Sequence, residues 1–246
     1  MPPIFVINLD RDIERMRMIA ENLNALGLSY IRVPAILGKA VLNREKIINS
    51  KLYSMRNRLP MPRDGEVGCY LSHLKALGAF LETNEPWCII LEDDIKILPE
   101  CIEIIDSLPK EDDWDLVKLF CFHSGTPIQK RSLTKSHHLV VHLTRTTSSA
   151  AYIVNRKAAK ILLRSLLPIT EQIDHAIERP WETGLRIRGV RPLPAILAPI
   201  ASISTIGYDK QNNPETIRRR SFFLSFSRAY KEFRRFIHGI SEGLLH

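Results

Sequence analysis

The chain contains no Gly-x-Gly-x-x-Gly and no Gly-x-x-x-x-Gly-Lys-Ser/Thr, so a Rossmann dinucleotide turn and a P-loop phosphate cradle both lack their motif. Cysteine is sparse. Cys69, Cys88, Cys101 and Cys121 are scattered without a Cys-x-x-Cys pair, which speaks against a zinc knuckle or a disulfide framework and suits reduced thiols in a cytosol. No apolar run is long enough to span a bilayer, and the longest weakly polar stretch, 193–207, is broken by Pro194, Pro199 and several serines. The opening Met-Pro-Pro-Ile-Phe-Val-Ile-Asn-Leu-Asp lacks the basic segment of a secretory signal. The expectation is a cytoplasmic protein that is not integral to a membrane.

What is present suits one sizeable α/β core: 246 residues, 45% of them hydrophobic. The net charge of +8 is uneven. Residues 216–246 hold seven Lys and Arg against two acids, interleaved with Phe222, Phe223, Phe226, Tyr230, Phe233 and Phe236. Positions 223, 226, 230 and 233 recur at helical spacing and predict a basic amphipathic helix, suited to an anionic membrane surface or to packing on the domain. Basic charge alone is a weak pointer to nucleic acid, and none is expected as a partner.

Ile4 to Leu9 reads as a strand. Asp10 or Asp12 then caps a helix with Ile13, Met16, Ala20 and Leu23 on one face, closed by Gly27, and Ser29 to Val33 completes a parallel βαβ unit. Residues 37–63 have weak periodicity and read as a surface excursion able to order over a ligand. Glu66 to Glu82 returns to helical spacing. Further strands are predicted at Cys88–Leu91, Asp115–Cys121, Leu139–Leu143 and Ala151–Val154, with helices from Pro99 and from an Asn155 cap. Alternation without an internal repeat predicts a single α/β domain over 1–215, an open mixed sheet flanked by helices, followed by the tail at 216–246.

The strand Ile89-Ile90-Leu91 runs directly into Glu92, Asp93 and Asp94. Carboxylates approaching a sheet core need cationic partners, and one magnesium or manganese ion would serve them all while leaving positions for phosphates. Asn8, Asp10, Arg11 and Arg15 surround the first strand-to-helix turn, a place for an anion or a polar base edge. Glu66, Cys69 or Tyr70, and His73 share one helical stripe. There a Glu and a His together would hold a ribose, a sugar hydroxyl or an acceptor, unless Glu66 merely complements the helix dipole and His73 is a satisfied helix histidine. Asp174, in a short helical segment after Pro168, is either a general base or an ordinary exposed acid.

Four stretches together resemble glycosyltransferase family 25: Val6-Ile7-Asn8-Leu9-Asp10-Arg11 with Glu14-Arg15; Gly65-Glu66-Val67-Gly68-Cys69-Tyr70-Leu71-Ser72-His73; Ile90-Leu91-Glu92-Asp93-Asp94; and Ala151-Tyr152-Ile153-Val154 leading to Ala158-Ala159. One departure is Thr147-Ser148-Ser149-Ala150-Ala151, where members often carry glycine before the tyrosine strand. The resemblance implies a GT-A-like fold with a mostly parallel sheet. It also implies inverting transfer of a hexose, galactose foremost, from a UDP-sugar to a lipooligosaccharide or lipopolysaccharide acceptor, assisted by Mn2+ or Mg2+. On this reading Asp94 with Glu92 holds the metal, and Asp174 is the base with Glu66 in reserve. Asn8, Asp10, Arg15, His73, Glu92 and Asp93 then face the donor. A lipid-linked acceptor would place the enzyme peripherally on the inner face of the inner membrane, and deleting 216–246 is then expected to leave activity on a soluble sugar acceptor intact while lowering binding to anionic vesicles. The alternatives are a non-catalytic nucleotide- or glycan-binding module, or a nucleotidyltransferase.

Overall fold

The computed structural model describes residues 1–57, 59–108, 113–199 and 229–243. β1 (Ile4–Asn8), α1 (Ile13–Ala25) and β2 (Ile31–Pro34) open the chain, and β2 pairs parallel to β1. Gly27 stops the helix with φ +69, a left-handed turn that glycine adopts without a Cβ penalty. The buried residues of α1 are Ile19 and Leu23, with Met16 partly covered, while Ile13 in the first turn is 75% exposed. The apolar stripe is therefore shorter and rotated relative to the expected one.

The excursion is not featureless. It holds two 3-10 turns, Gly38–Ala40 and Arg44–Lys46, and α2 (Ser50–Arg56), capped by the Asn49 side chain. α3 (Asp64–Leu81) and β3 (Trp87–Glu92) follow, then β4 (Ile95–Ile97), α4 (Glu100–Ser107), β5 (Leu116–Lys118), β6 (Pro127–Ser132) and β7 (His138–His142). β8 (Ala151–Asn155), α5 (Arg156–Ser165), α6 (Ile173–Ile177), α7 (Pro180–Thr183), β9 (Ile187–Arg191) and β10 (Ala195–Leu197) complete the domain. The Asn155 side chain caps α5 as expected, accepting from the Ala158 amide at 2.8 Å.

Among the described residues the main sheet has eight strands, in the order β2-β1-β3-β8-β5-β9-β7-β6. Six run the same way, and β8 and β7 oppose them. This is the expected open, mixed, mostly parallel sheet. Its inner strands are buried on both faces, whereas the edge strands β2 and β6 are largely exposed, so residues of the inner strands alternate between two cores: Ile4 and Val6 join α1 and α4 on one side, Phe5 and Ile7 join α3 and α5 on the other. β4, β6, β9 and β10 were not legible from pattern. In β9, Arg188 is almost fully buried because it pairs with Glu242 of the C-terminal helix, and Gly189 leaves room for the His142 ring.

Of the predicted tail, 216–228 and 244–246 lie outside the described residues; 229–243 is a helix. Its orientation is the reverse of simple aromatic packing. Lys231 pairs with buried Glu171, Arg235 approaches buried Glu178 at 3.9 Å and lies over the Trp181 ring, and Glu242 pairs with Arg188 at 2.7 Å. Tyr230, Phe233, Phe236 and Ile237 are exposed instead. Removing this helix would take Lys231 from Glu171, which keeps Arg179, and Arg235 from Glu178, which keeps Lys118, and would take Glu242 from buried Arg188, a destabilising loss. Charge pairs therefore help to tie the helix down, beside the close packing of Gly239 on Leu143, and deletion of 216–246 is expected to cost stability as well as vesicle binding. Among the described residues no helix is long and apolar enough to cross a membrane.

Candidate active site

Because β1, β2 and β3 are parallel neighbours, their carboxyl ends lie side by side, and Asn8, Pro34 and Glu92 arrive at one sheet edge. α3 passes over that edge with its first turns. The space between is a cleft of about 600 Å³, lined by Asn8, Asp12, Arg15, Cys69, His73 and Glu92 to Asp94, with the excursion forming the opposite wall.

The close approach of the excursion to α3 depends on two glycines. A Cβ on Gly68 would lie 2.4 Å from the Ile36 carbonyl oxygen and 2.9 Å from the Gly38 nitrogen; one on Gly38 would overlap the Asp64 carbonyl. Ser72 fastens the same contact, its hydroxyl accepting from the Ile36 amide at 2.8 Å and donating to the Gly68 carbonyl at 2.6 Å. Arg11, Lys39, Arg44 and Arg63 join Arg15 on the cleft wall, so cations face the carboxylates across it. Lys39, Arg44 and Arg63 carried no spacing signal in the sequence; only the fold of the excursion brings them there.

Each acid has a protein partner. Glu92 Oε1 accepts from Ser149 at 2.9 Å and contacts His73 Nε2 at 3.3 Å, while the Tyr152 hydroxyl meets His73 Nδ1 at 3.1 Å. Asp93 accepts from Asn8 Nδ2 at 2.7 Å and Arg15 Nη1 at 3.0 Å, and Asp94 accepts from Arg15 Nη2 at 2.5 Å. Burial works to raise Glu92, but the His73 and Ser149 contacts bring it below the ordinary carboxylate range. Burial raises Asp93, against Asn8 and Arg15. Asp94 is pushed up to about 6 by burial and by Glu92, with Arg15 opposing. One guanidinium shared between two aspartates leaves Asp94 short of positive charge. A hard divalent cation would supply it, and the carboxylate oxygens suit such an ion.

The structure brings Asn8, Arg15, His73, Glu92, Asp93 and Asp94 together on the cleft wall. It places three other candidates elsewhere. Asp10 is 81% exposed and pairs with Arg32 at 2.5 Å, while its neighbour Asp12 lines the cleft. Glu66 accepts from the Arg63 amide at 2.8 Å, the Tyr53 hydroxyl at 3.0 Å and Gln172 Nε2 at 3.2 Å, tying α2, α3 and α6 together. Asp174 accepts from the His175 amide at 2.9 Å, and its charge is among those that raise the Cys69 thiol, after burial and Glu92. Neither Glu66 nor Asp174 is among the cleft-lining residues.

Residues 1–177 match the model of glycosyltransferase family 25, described as an LPS biosynthesis protein family. A "Glycosyltransferase 25 family member" of Anopheles gambiae is 26% identical over 208 residues, 75% of this chain and 34% of that protein. A Haemophilus influenzae protein with a provisional glycosyltransferase name is 27% identical over 161 residues, 65% of this chain and 56% of that one. The chain thus spans about a third and just over half of these relatives' lengths. Among solved structures, the galactosyltransferase LgtC with donor and acceptor sugar analogs aligns at TM-score 0.44 and 9% identity, covering 91% of this chain and 95% of that one. A Drosophila β-1,4-galactosyltransferase 7 mutant with manganese, UDP-Gal and xylobiose aligns at 0.45 and 8%, covering 88% and 79%. These are distant likenesses of overall layout.

Proposed function

Because the chain belongs to glycosyltransferase family 25, we propose that it is an inverting hexosyltransferase, moving galactose ahead of glucose from a UDP-sugar to a lipooligosaccharide or lipopolysaccharide acceptor. The observation that carries this reading is the cleft itself, with a cluster of carboxylates on one side and five cationic side chains around it. That arrangement suits a nucleoside diphosphate, which brings negative charge to the cations and phosphate oxygens to a metal held by the carboxylates.

Asp94, with Glu92 beside it, would hold Mn2+ or Mg2+; when bound, the ion supplies Lewis-acid stabilisation of the departing diphosphate. Arg15 and the neighbouring basic side chains orient the phosphates. Asn8 is committed to Asp93, Arg32 and the Asp12 carbonyl, so its role on this reading is to hold Asp93 and the turn in place. Inversion requires a base on the face opposite the leaving group; Asp174 is the proposed base, with Glu66 the reserve, and because neither lines the cleft, this reading has the acceptor extend beyond the cleft to reach them. The domain boundary is proposed at 215/216, with a basic tail beyond it. The exposed aromatic face of helix 229–243 supports a peripheral position on an anionic inner-membrane surface, where a lipid-linked acceptor would be met.

A second reading rests on each of Glu92, Asp93 and Asp94 having a protein partner: a non-catalytic module would keep the acids as internal pairs with Arg15 and His73. Radiolabelled UDP-galactose and UDP-glucose, incubated with manganese and an oligosaccharide acceptor, separate the two. Label appearing in the acceptor with inverted anomeric configuration supports the transferase. Donor that binds without turnover supports the module, and release of pyrophosphate would point to nucleotidyl transfer.

A further inference from the structure

Cys69 and His73 are one turn apart on α3, and the strand end of β3 brings Glu92 to the same point. Cys69 Sγ, a His73 ring nitrogen and a Glu92 carboxylate oxygen all lie within 4.8 Å of one another. We propose that these three side chains form a binding site for a thiophilic divalent cation of the zinc type, distinct in chemistry from the carboxylate set that takes a hard ion at Asp94.

Thiolate, imidazole and carboxylate are together a zinc donor set, whereas magnesium and manganese prefer oxygen ligands alone. Ligand bonds of about 2.0–2.3 Å would draw the three atoms somewhat closer than they now stand, a movement within the reach of the Cys69 and Glu92 side chains. His73 is fully buried, and the Tyr152 hydroxyl at Nδ1 fixes the ring so that Nε2 faces Glu92, the outer hydrogen bond that a metal-binding histidine typically has. Ser149 donates to Glu92 Oε1, and the His73 Nε2 contact on that same oxygen gives way when Nε2 takes the ion, which leaves Glu92 Oε2 for the ion as well. A thiolate and a carboxylate also balance the two charges of the ion, so the partly buried site closes neutral. All three residues line the cleft, so the fourth position of a tetrahedral ion opens toward it.

Zinc held there would take Glu92 from the hard-ion set, and so inhibit donor binding. That consequence rests on the transferase reading; the binding itself does not. The test is cobalt titration of the full-length protein, followed by absorption spectroscopy and by zinc displacement. The wild type is expected to show a thiolate-to-cobalt charge-transfer band at one equivalent, bleached by zinc, absent from Cys69→Ser and retained in Asp94→Ala. A wild type without the band, and without one bound zinc after dialysis, would overturn the proposal, as would a band that persists in Cys69→Ser. Glu92→Gln, which keeps shape while removing the charge, is expected to weaken zinc binding at least tenfold. Because no sugar donor enters the titration, failure of the transferase reading would appear as missing UDP binding with the cobalt band intact.

Discussion

Asp94 and Asp115 are both largely withdrawn from water, yet they sit at opposite ends of the carboxylate range. Burial pushes both up. Asp115 is rescued by Arg186 through its backbone amide at 2.9 Å and its guanidinium at 3.1 and 3.2 Å, with Asn155 adding to it, and falls to about 2. Asp94 shares Arg15 with Asp93 and stays at about 6. A depressed carboxylate contributes stability that is complete above its unfolded pKa near 4 and is lost as pH falls through the folded value. Asp115→Asn is therefore expected to lose about 2 kcal/mol at neutral pH, with the gap from wild type narrowing from pH 4 downward. Urea titrations at several pH values measure this, and a gap independent of pH would contradict it. For Asp94 the sign reverses, since ionisation is disfavoured in the fold: Asp94→Asn is expected to cost little or nothing at pH 7. The strand-to-acid junction at 89–94 was legible because apolar residues entering consecutive carboxylates is a costly pattern. Arg15 as the shared partner was not, since only the packing of α1 against the end of β3 brings it there.

At the scale of elements, the contact between the excursion and α3 decides whether the cleft exists. Gly68→Ala would drive a methyl group into backbone atoms of 36–38, which cannot step aside like a flexible side chain, and is expected to destabilise by roughly 1–3 kcal/mol and to abolish UDP binding. Gly78, on the same helix, has nothing within 4 Å of its Cβ position, so Gly78→Ala is expected to stabilise by roughly 0.5–1 kcal/mol. Thermal melts of the two variants should move in opposite directions, and a parallel loss would contradict the close-approach account. Elements with strong periodicity, such as α3 and β3, could be read from the sequence to within a residue or two. β6 and β9 could not, because an edge strand of Pro-Ile-Gln-Lys-Arg-Ser and a buried strand with two arginines owe their state to tertiary partners. The excursion was hidden for the same reason, its short turns being held by contacts with α3 and by Glu66.

Across the whole molecule, charge does two jobs. It gathers cations around a cleft near the carboxyl ends of β1 to β3, and it docks helix 229–243 through Lys231, Arg235 and Glu242. Lys231→Ala is expected to cost roughly 2 kcal/mol by weakening the neutralisation of buried Glu171. The double variant Phe233→Ser, Ile237→Ser should leave the melting temperature unchanged and reduce binding to anionic vesicles. Vesicle sedimentation alongside thermal melts checks both, and unchanged vesicle binding would reject the membrane role. The basic, aromatic composition of the tail was plain in the sequence. Which face turns inward was not, because the acids that receive it, Glu171 and Glu178, lie more than fifty residues away in the chain.

On the proposed function, Asp94 and its neighbours receive a metal-bound nucleoside diphosphate. Calorimetric titration of UDP into the wild type and Asp94→Ala, with and without manganese, is the decisive experiment. Manganese-dependent UDP binding that disappears in Asp94→Ala is the predicted result; no UDP binding by the wild type under either condition would contradict it.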